Sequence, residues 1–199
     1  MSMGDEYFEQ MFANSDDPWA MRKRWYERRK RALLLACLPR EHYPAVFEPG
    51  CANGETSLVL APRCDYLLCC DTAPAAVQLT RGRLADVNHA QVRQWRLPQD
   101  WPNERFDLIV LNELCYYLDA ADLDQLIERA GQSLKPSGHL LACHWLAPSD
   151  GCSFDGAGVH QRLDEGLGLC SLVRHAEPDF ILQVWSRDGV SVAQQEGLR

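Results

Sequence analysis

The chain has 199 residues, 46% of them apolar and 24% charged, which suits one globular domain with a substantial core. Its net charge of −8 argues against a protein whose main task is to grip nucleic-acid phosphates, so no nucleic-acid partner is expected. No run approaches the roughly 20 apolar residues of a membrane helix. The N-terminus also lacks an apolar signal core, so no membrane association is expected and the expected location is cytoplasmic. The nine cysteines are odd in number, none is paired at CxxC spacing, and Cys69 and Cys70 adjoin in a strand-like run. They read as small buried hydrophobes in a reducing compartment rather than as disulfides or zinc ligands.

In chain order, residues 1–17 are acidic and polar with aromatics at Tyr7, Phe8 and Phe12, a short amphipathic helix or a mobile arm. Asp16-Asp17-Pro18-Trp19 reads as a turn or helix start. A helical pattern then runs from Ala20 to Leu38, where Pro39 ends it. That helix is strongly basic (Arg22, Lys23, Arg24, Arg28, Arg29, Lys30, Arg31) and carries Trp25 and Tyr26, with Trp19 just ahead of it. Two readings fit: a solvated face with its aromatics on the sheet, or a cap over a cofactor.

Strands and helices then alternate. Strands are expected at Ala45–Glu48, Tyr66–Cys70, Val92–Arg96, Phe106–Leu111 and His139–His144. Helices are expected at Glu55–Leu60, Pro74–Asp86 (with Thr72 as a cap) and Asp122–Leu134. Phe106–Leu111 is apolar throughout, as a central parallel strand would be. Lys135-Pro136-Ser137-Gly138 reads as a loop. Residues 146–168 are rich in Gly, Ser and Asp with a short helix near Val159–Glu165. Leu169–His175 and Phe180–Ser186, joined by Glu177-Pro178-Asp179, form a hairpin signature. Arg187–Arg199 reads as a frayed tail.

The chemistry concentrates at Val46-Phe47-Glu48-Pro49-Gly50-Cys51-Ala52-Asn53-Gly54 and at Asp71. A buried strand, a Gly-turn, a helix, a second strand and a lone carboxylate follow in the order with which a parallel α/β sheet cradles a nucleoside cofactor. Gly50 and Gly54 flank the turn. Asp71 is placed for a ribose diol, or alternatively as a helix-capping acid. Gly50-x-x-x-Gly54 is not the GxGxxG of a dinucleotide fold, which weighs against an NAD-dependent oxidoreductase.

Taken together, the chain resembles the class I S-adenosylmethionine (SAM) methyltransferases, and within them the NodS-type nodulation N-methyltransferases. The resemblance rests on Asp17-Pro18-Trp19, Trp25-Tyr26-Glu27-Arg28-Arg29-Lys30, Phe47-Glu48-Pro49-Gly50-Cys51, Ala61-Pro62-Arg63-Cys64-Asp65, Phe106-Asp107-Leu108-Ile109-Val110, Glu113 with Tyr116-Tyr117-Leu118, His144-Trp145 and Val159-His160. It implies a three-layer Rossmann-like α/β sheet, mostly parallel with the last strand antiparallel, in a single domain. Residues 1–43 would be a helical cap, 44–186 the catalytic core and 187–199 a tail. The implied cofactor is SAM, leaving S-adenosylhomocysteine (SAH) as product.

Glu48 is placed for the amino-acid end of that cofactor and Asp71 for its ribose. Cys51, Thr72, Leu97 and Asn112 complete the expected cofactor set with the two glycines. The resemblance further implies that Trp19 and Tyr26 cover the cofactor and that Arg29 pairs with its carboxylate. Glu113 is the expected active-site acid, with a surface acid as the alternative. His144 is expected to take a proton from the acceptor or orient it, with a hydrogen-bonded strand-end histidine as the alternative. Tyr116 either walls the acceptor pocket or fills the core; Trp145 and His160 are its other expected contacts. The histidine spacing fits no zinc pattern, so no metal is expected.

Two positions depart from the family pattern. Ala52 stands where a glycine is common. Arg96-Leu97-Pro98 stands where relatives carry an acid facing the adenine amine, and a guanidinium cannot accept a hydrogen bond from that amine. The implied reaction is methyl transfer to a small or medium-sized acceptor, an amine such as an amino sugar or oligosaccharide. The alternatives are O-methylation of a small metabolite and a non-catalytic SAM- or nucleoside-binding regulatory protein.

Overall fold

The structure, a computed structural model, describes residues 2–147 and 150–199. Two helices come first, α1 (Asp5–Asn14) and α2 (Trp25–Ala36). Alternation follows: β1 (Tyr43–Pro49), α3 (Glu55–Leu60), β2 (Cys64–Asp71), α4 (Pro74–Arg83), β3 (Ala90–Gln94), β4 (Phe106–Asn112), α5 (Ala120–Ser133) and β5 (Leu134–Trp145). Then come α6 (Gly156–Leu167), the hairpin β6 (Cys170–Ala176) and β7 (Phe180–Ser186), and a short α7 (Val192–Gln195). The seven strands form one sheet in the order β3-β2-β1-β4-β5-β7-β6. The first five pair in parallel, while β7 runs antiparallel to both β5 and β6. This is the mostly parallel, antiparallel-ended sheet that the resemblance implies.

The period of two along each strand divides the core into two layers. Val46, Leu67, Cys69, Leu108, Val110 and Leu141 face one side, where Leu34 of α2, Leu60 of α3 and Val77 of α4 cover them. Phe47, Leu68, Ile109, Leu111, Leu140 and Ala142 face the other, under Leu123, Leu126 and Ile127 of α5 and Val159 and Leu163 of α6. With both faces covered, these strands are apolar at nearly every position. All nine cysteines are free, and six of them are buried packing residues.

Four local expectations change. The first long helix begins at Trp25 rather than Ala20. The Asp17 carboxylate accepts from the amides of Met21 (2.7 Å) and Arg22 (3.1 Å), and Ala20 takes a left-handed φ of 56°, so residues 17–24 are held in turns. Thr72 does not cap α4; Asp71 accepts from the Ala73 amide (3.0 Å), while the Thr72 hydroxyl donates to Asp5 (2.6 Å). The expected loop at 135–138 lies within β5, whose pairing with β4 shifts between Phe106↔Leu134 and Leu108↔His139. That irregularity absorbs Pro136 and Gly138 without breaking the strand. The third strand ends two residues early, at Gln94, which leaves Arg96 and Leu97 free to turn over the sheet edge.

Gly54, expected to contact a cofactor, instead serves the fold. It is the left-handed N-cap of α3 (φ 77°), and a Cβ there would lie 3.0 Å from the Thr80 hydroxyl and 3.1 Å from the Thr80 Cα. Only glycine meets both demands at low cost. Gly54→Ala is therefore expected to lower the unfolding free energy by about 2 kcal/mol, visible as an earlier urea midpoint. An unchanged midpoint would mean that the turn accommodates a side chain.

Candidate active site

Strands β1, β2, β4 and β5 all end at one edge of the sheet, and their last residues open into a cavity of about 520 Å³. That volume lies in the range of small-molecule and cofactor sites. Glu48, Gly50 and Cys51 come from the end of β1, Asp71 and Thr72 from β2, Asn112 and Glu113 from β4, and Trp145 from β5. Leu97 and Tyr116 add to its walls, and Trp19 and Tyr26 lie over it from the N-terminal segment. Arg29, Gly54, His144 and His160 are not among the lining residues.

The side of the cavity formed by the ends of β1 and β2 is built around Asp71. One carboxylate oxygen accepts from the Ala52 amide (2.9 Å) and the other from the Ala73 amide (3.0 Å). Each oxygen keeps a lone pair, so the group can still take both hydroxyls of a diol. Burial raises its affinity for the proton, and the backbone N–H groups of Ala73, Ala52 and Thr72 oppose that shift. Gly50 has a φ of 73° and donates to the Cys70 carbonyl (2.8 Å), folding the loop back onto β2. Ala52 also adopts a left-handed φ, 49°, where an L-residue pays a steric cost.

Glu48 is almost fully buried. Burial pushes its carboxyl up to about 8, against the opposing hydrogen bonds of Ser57 (2.5 Å) and Cys69 (3.5 Å). It is held ready to ionise when a positive group arrives.

Helix α2 is anchored to the sheet edge by a residue that the sequence did not single out. Lys30 is 5% exposed and lines the cavity. Its Nζ donates to Glu113 Oε1 (2.5 Å), contacts Glu27 (3.1 Å) and lies 5.0 Å from the Tyr26 ring centroid. Burial alone would pull its ammonium down, but the two carboxylates outweigh it and hold the group charged. Glu113 has a left-handed φ of 54°, and its other oxygen accepts from the Tyr116 hydroxyl (2.6 Å) and the Trp145 amide (3.0 Å). Three donors on one strained residue lock this wall of the cavity. The Tyr26 ring packs edge-on against Trp145 at 5.6 Å, and its hydroxyl is buried with no hydrogen-bond partner among the described residues. The spacing of Tyr26 and Lys30, one helical turn apart, was the available signal that both face the same way.

Arg29 points elsewhere: its guanidinium makes two 2.8 Å bonds to Glu177 on the β6–β7 turn. Arg24, at the start of α2, lines the cavity in its place. His144 and His160 are also corrected. His144 is fully buried, and its Nε2 accepts from the Cys115 amide (3.2 Å). A neutral ring must then carry its proton on Nδ1, which lies 3.1 Å from His160 Nε2, while His160 Nδ1 reaches Gln183 Oε1 (2.6 Å). Burial keeps His144 far below the ordinary histidine range and His160 at about 4. Both rings therefore brace the wall behind Tyr116 and Glu113 and take no proton from the cavity.

The cavity fits a nucleoside carrying a cationic amino-acid tail. Asp71 has open acceptor positions and Glu48 can become an anion, and both line the cavity. Removing one member of the Lys30–Glu113 pair leaves a charge stranded. Lys30→Met is expected to cost about 3 kcal/mol of stability, and Lys30→Met with Glu113→Gln distinctly less. Additive losses in a denaturation cycle would refute the coupling.

Comparison with known proteins places this geometry. The family model for Nodulation protein S (NodS) matches residues 6–145. A Nodulation protein S of Rhizobium tropici is 35% identical over 129 residues, 64% of this chain and 54% of that one. The chain thus spans about half the length of that relative. A Pseudomonas syringae protein described as a candidate methyltransferase is 58% identical, with a TM-score of 0.75 over 82% of this chain and all (100%) of that one. N-methyltransferase NodS from Bradyrhizobium japonicum WM9, solved with SAH, is 25% identical with a TM-score of 0.79, covering 92% of this chain and 97% of that one. With most of its length matched by that family, from the N-terminal helix to the end of β5, the chain belongs to the Nodulation protein S (NodS) family.

Proposed function

We propose that the protein is a SAM-dependent methyltransferase that transfers a methyl group to an amine of a small or medium-sized acceptor by direct in-line displacement. The observation that carries this reading is the convergence of Asp71, Glu48 and the aromatic lid on one cavity, in a chain of the NodS family. We further propose that residues 1–43 act as a cap over a catalytic core of 44–186.

When bound, SAM supplies a methyl group activated by a sulfonium centre. Asp71 holds the ribose and Glu48 meets the amino-acid end. Trp19 and Tyr26 close over both and exclude water, which leaves alignment of the two reactants as the protein's main contribution. Among the residues lining the cavity, Glu27, Glu113 and Asp179 outnumber the cations of Lys30 and Arg24. This balance draws in a basic amine rather than an anion, and the amine attacks as the neutral base after its ammonium proton has passed to water. Glu113, held by three donors, orients the acceptor, and no histidine is placed to serve as base. Trp25, 68% exposed and next in sequence to the lining residues Arg24 and Tyr26, has the Arg28 guanidinium 5.9 Å from its ring centroid and leaves aromatic surface for an acceptor larger than the cavity. This supports the narrower proposal of an amino sugar or oligosaccharide amine.

Radiolabelled methyl transfer over a panel of amines, amino sugars and hydroxy compounds tests the reading. Label is expected in amines; label confined to hydroxyl acceptors would replace N- with O-methylation. Asp71→Ala is expected to weaken SAH about 30-fold by calorimetry, the loss of two hydrogen bonds to a charged group. An unchanged affinity would refute the ribose assignment. The raised Glu48 pKa sets a pH dependence. Below about pH 8 the free protein holds this proton and must release it to pair with the cofactor's ammonium. Affinity for SAH should therefore rise with pH, by at most about tenfold per unit, and level off above that point. Glu48→Gln should flatten the profile; a wild-type profile already flat from about pH 6 to 8 would sink the pairing.

A further inference from the structure

The wall beyond Asp71, where a base leaving the ribose must lie, has a deficit of acceptors. Strand β3 ends opposite Asp71, and Trp95, Arg96 and Leu97 then line the cavity. Two of these side chains are largely apolar surfaces, and the guanidinium of Arg96 only donates. The exocyclic amine of adenine is also a donor, so β3 by itself offers this edge of the base no side-chain partner.

Helix α1 brings one from the other end of the chain. Asp5 lines the same cavity. Its Oδ1 accepts from the Thr72 hydroxyl (2.6 Å), beside the ribose carboxylate, and its Oδ2 accepts from the Arg96 guanidinium (3.2 Å). The carboxylate therefore spans the ends of β2 and β3, and each oxygen keeps a lone pair. Its position is set by packing on both sides. The Met3 amide donates to the Tyr117 carbonyl (2.8 Å), and Phe8 and Phe12 pack edge-on against Tyr117 (5.1 Å) and Trp19 (5.6 Å).

We propose that Asp5 is a specificity-determining residue of the cofactor site, accepting the exocyclic amine of the adenine ring and selecting adenine over a base that carries an oxygen there. The inference rests on the SAM reading above and deepens it. Arg96, which cannot contact the amine, acts on it indirectly by holding Asp5 in place. Helix α1 is then part of the site and not only a cover.

The test compares two probes by calorimetry: SAH and S-inosylhomocysteine, in which the amine is replaced by a carbonyl oxygen. The wild type is expected to prefer SAH by about tenfold, the scale of one hydrogen bond to a charged acceptor. Asp5→Asn should reduce that ratio to near unity, because its amide can donate to the oxygen. Arg96→Gln should reduce it partly while SAH still binds. If Asp5→Asn weakens both probes equally and keeps the ratio, Asp5 merely latches the helix and the proposal fails. It fails too if Asp122→Asn, at another carboxylate lining the cavity, erases the preference instead. Wild-type protein that binds neither probe would overturn the SAM reading itself, and this one with it.

Discussion

A parallel sheet covered by helices on both faces leaves ligands one place to meet its polar groups, the edge at which its strands end. Here that constraint governs the rest of the molecule. The bodies of β1, β2, β4 and β5 are buried in two apolar layers, and their chemistry is displaced to the last residue or two of each. Glu48, Asp71, Glu113 and Trp145 are neighbours because four strands run in step, although they are far apart in the chain.

The N-terminal segment lies against that edge, and it is held there by charge. Lys30 reaches down from α2 to Glu113, while Arg29 clamps the same helix to Glu177 on the terminal hairpin. The two pairs differ in worth. The Arg29–Glu177 bridge is partly solvent-exposed and screened, whereas the Lys30 ammonium is buried against two carboxylates and stranded without them. The left-handed φ of Glu113 belongs to the same design. Strain at a strand end is tolerated where three hydrogen bonds over-determine the side chain.

Much of this was legible in the sequence. Continuous apolar runs mark strands buried on both sides, and a single acid closing such a run stands out, as Glu48 and Asp71 do; both line the cavity. Helix α2 was harder. One position around a helix is a rotation of about 100°, so choosing between Arg29 and Lys30 required the docking angle of the helix. The same holds for His144-Trp145. Strand alternation sends these side chains to opposite faces, and only the packing of β5 against α6 shows that the tryptophan meets the cavity while the histidine joins His160 in the core. Asp5 was invisible for another reason: its partners Thr72 and Arg96 lie 67 and 91 residues away.

By itself, then, the sequence determined the α/β alternation, the antiparallel hairpin at its end, the glycine turn and the acids that close β1 and β2. These follow from local periodicity and from the few residue types that tolerate a sharp turn or terminate an apolar strand. The tertiary structure alone decided which basic residue enters the site, that the histidine pair is structural, that Gly54 serves packing against Thr80, and that α1 places a carboxylate beside Arg96. Each of those depends on how separately formed elements dock. Docking is set by the summed burial of many side chains, and no short stretch of sequence contains that sum.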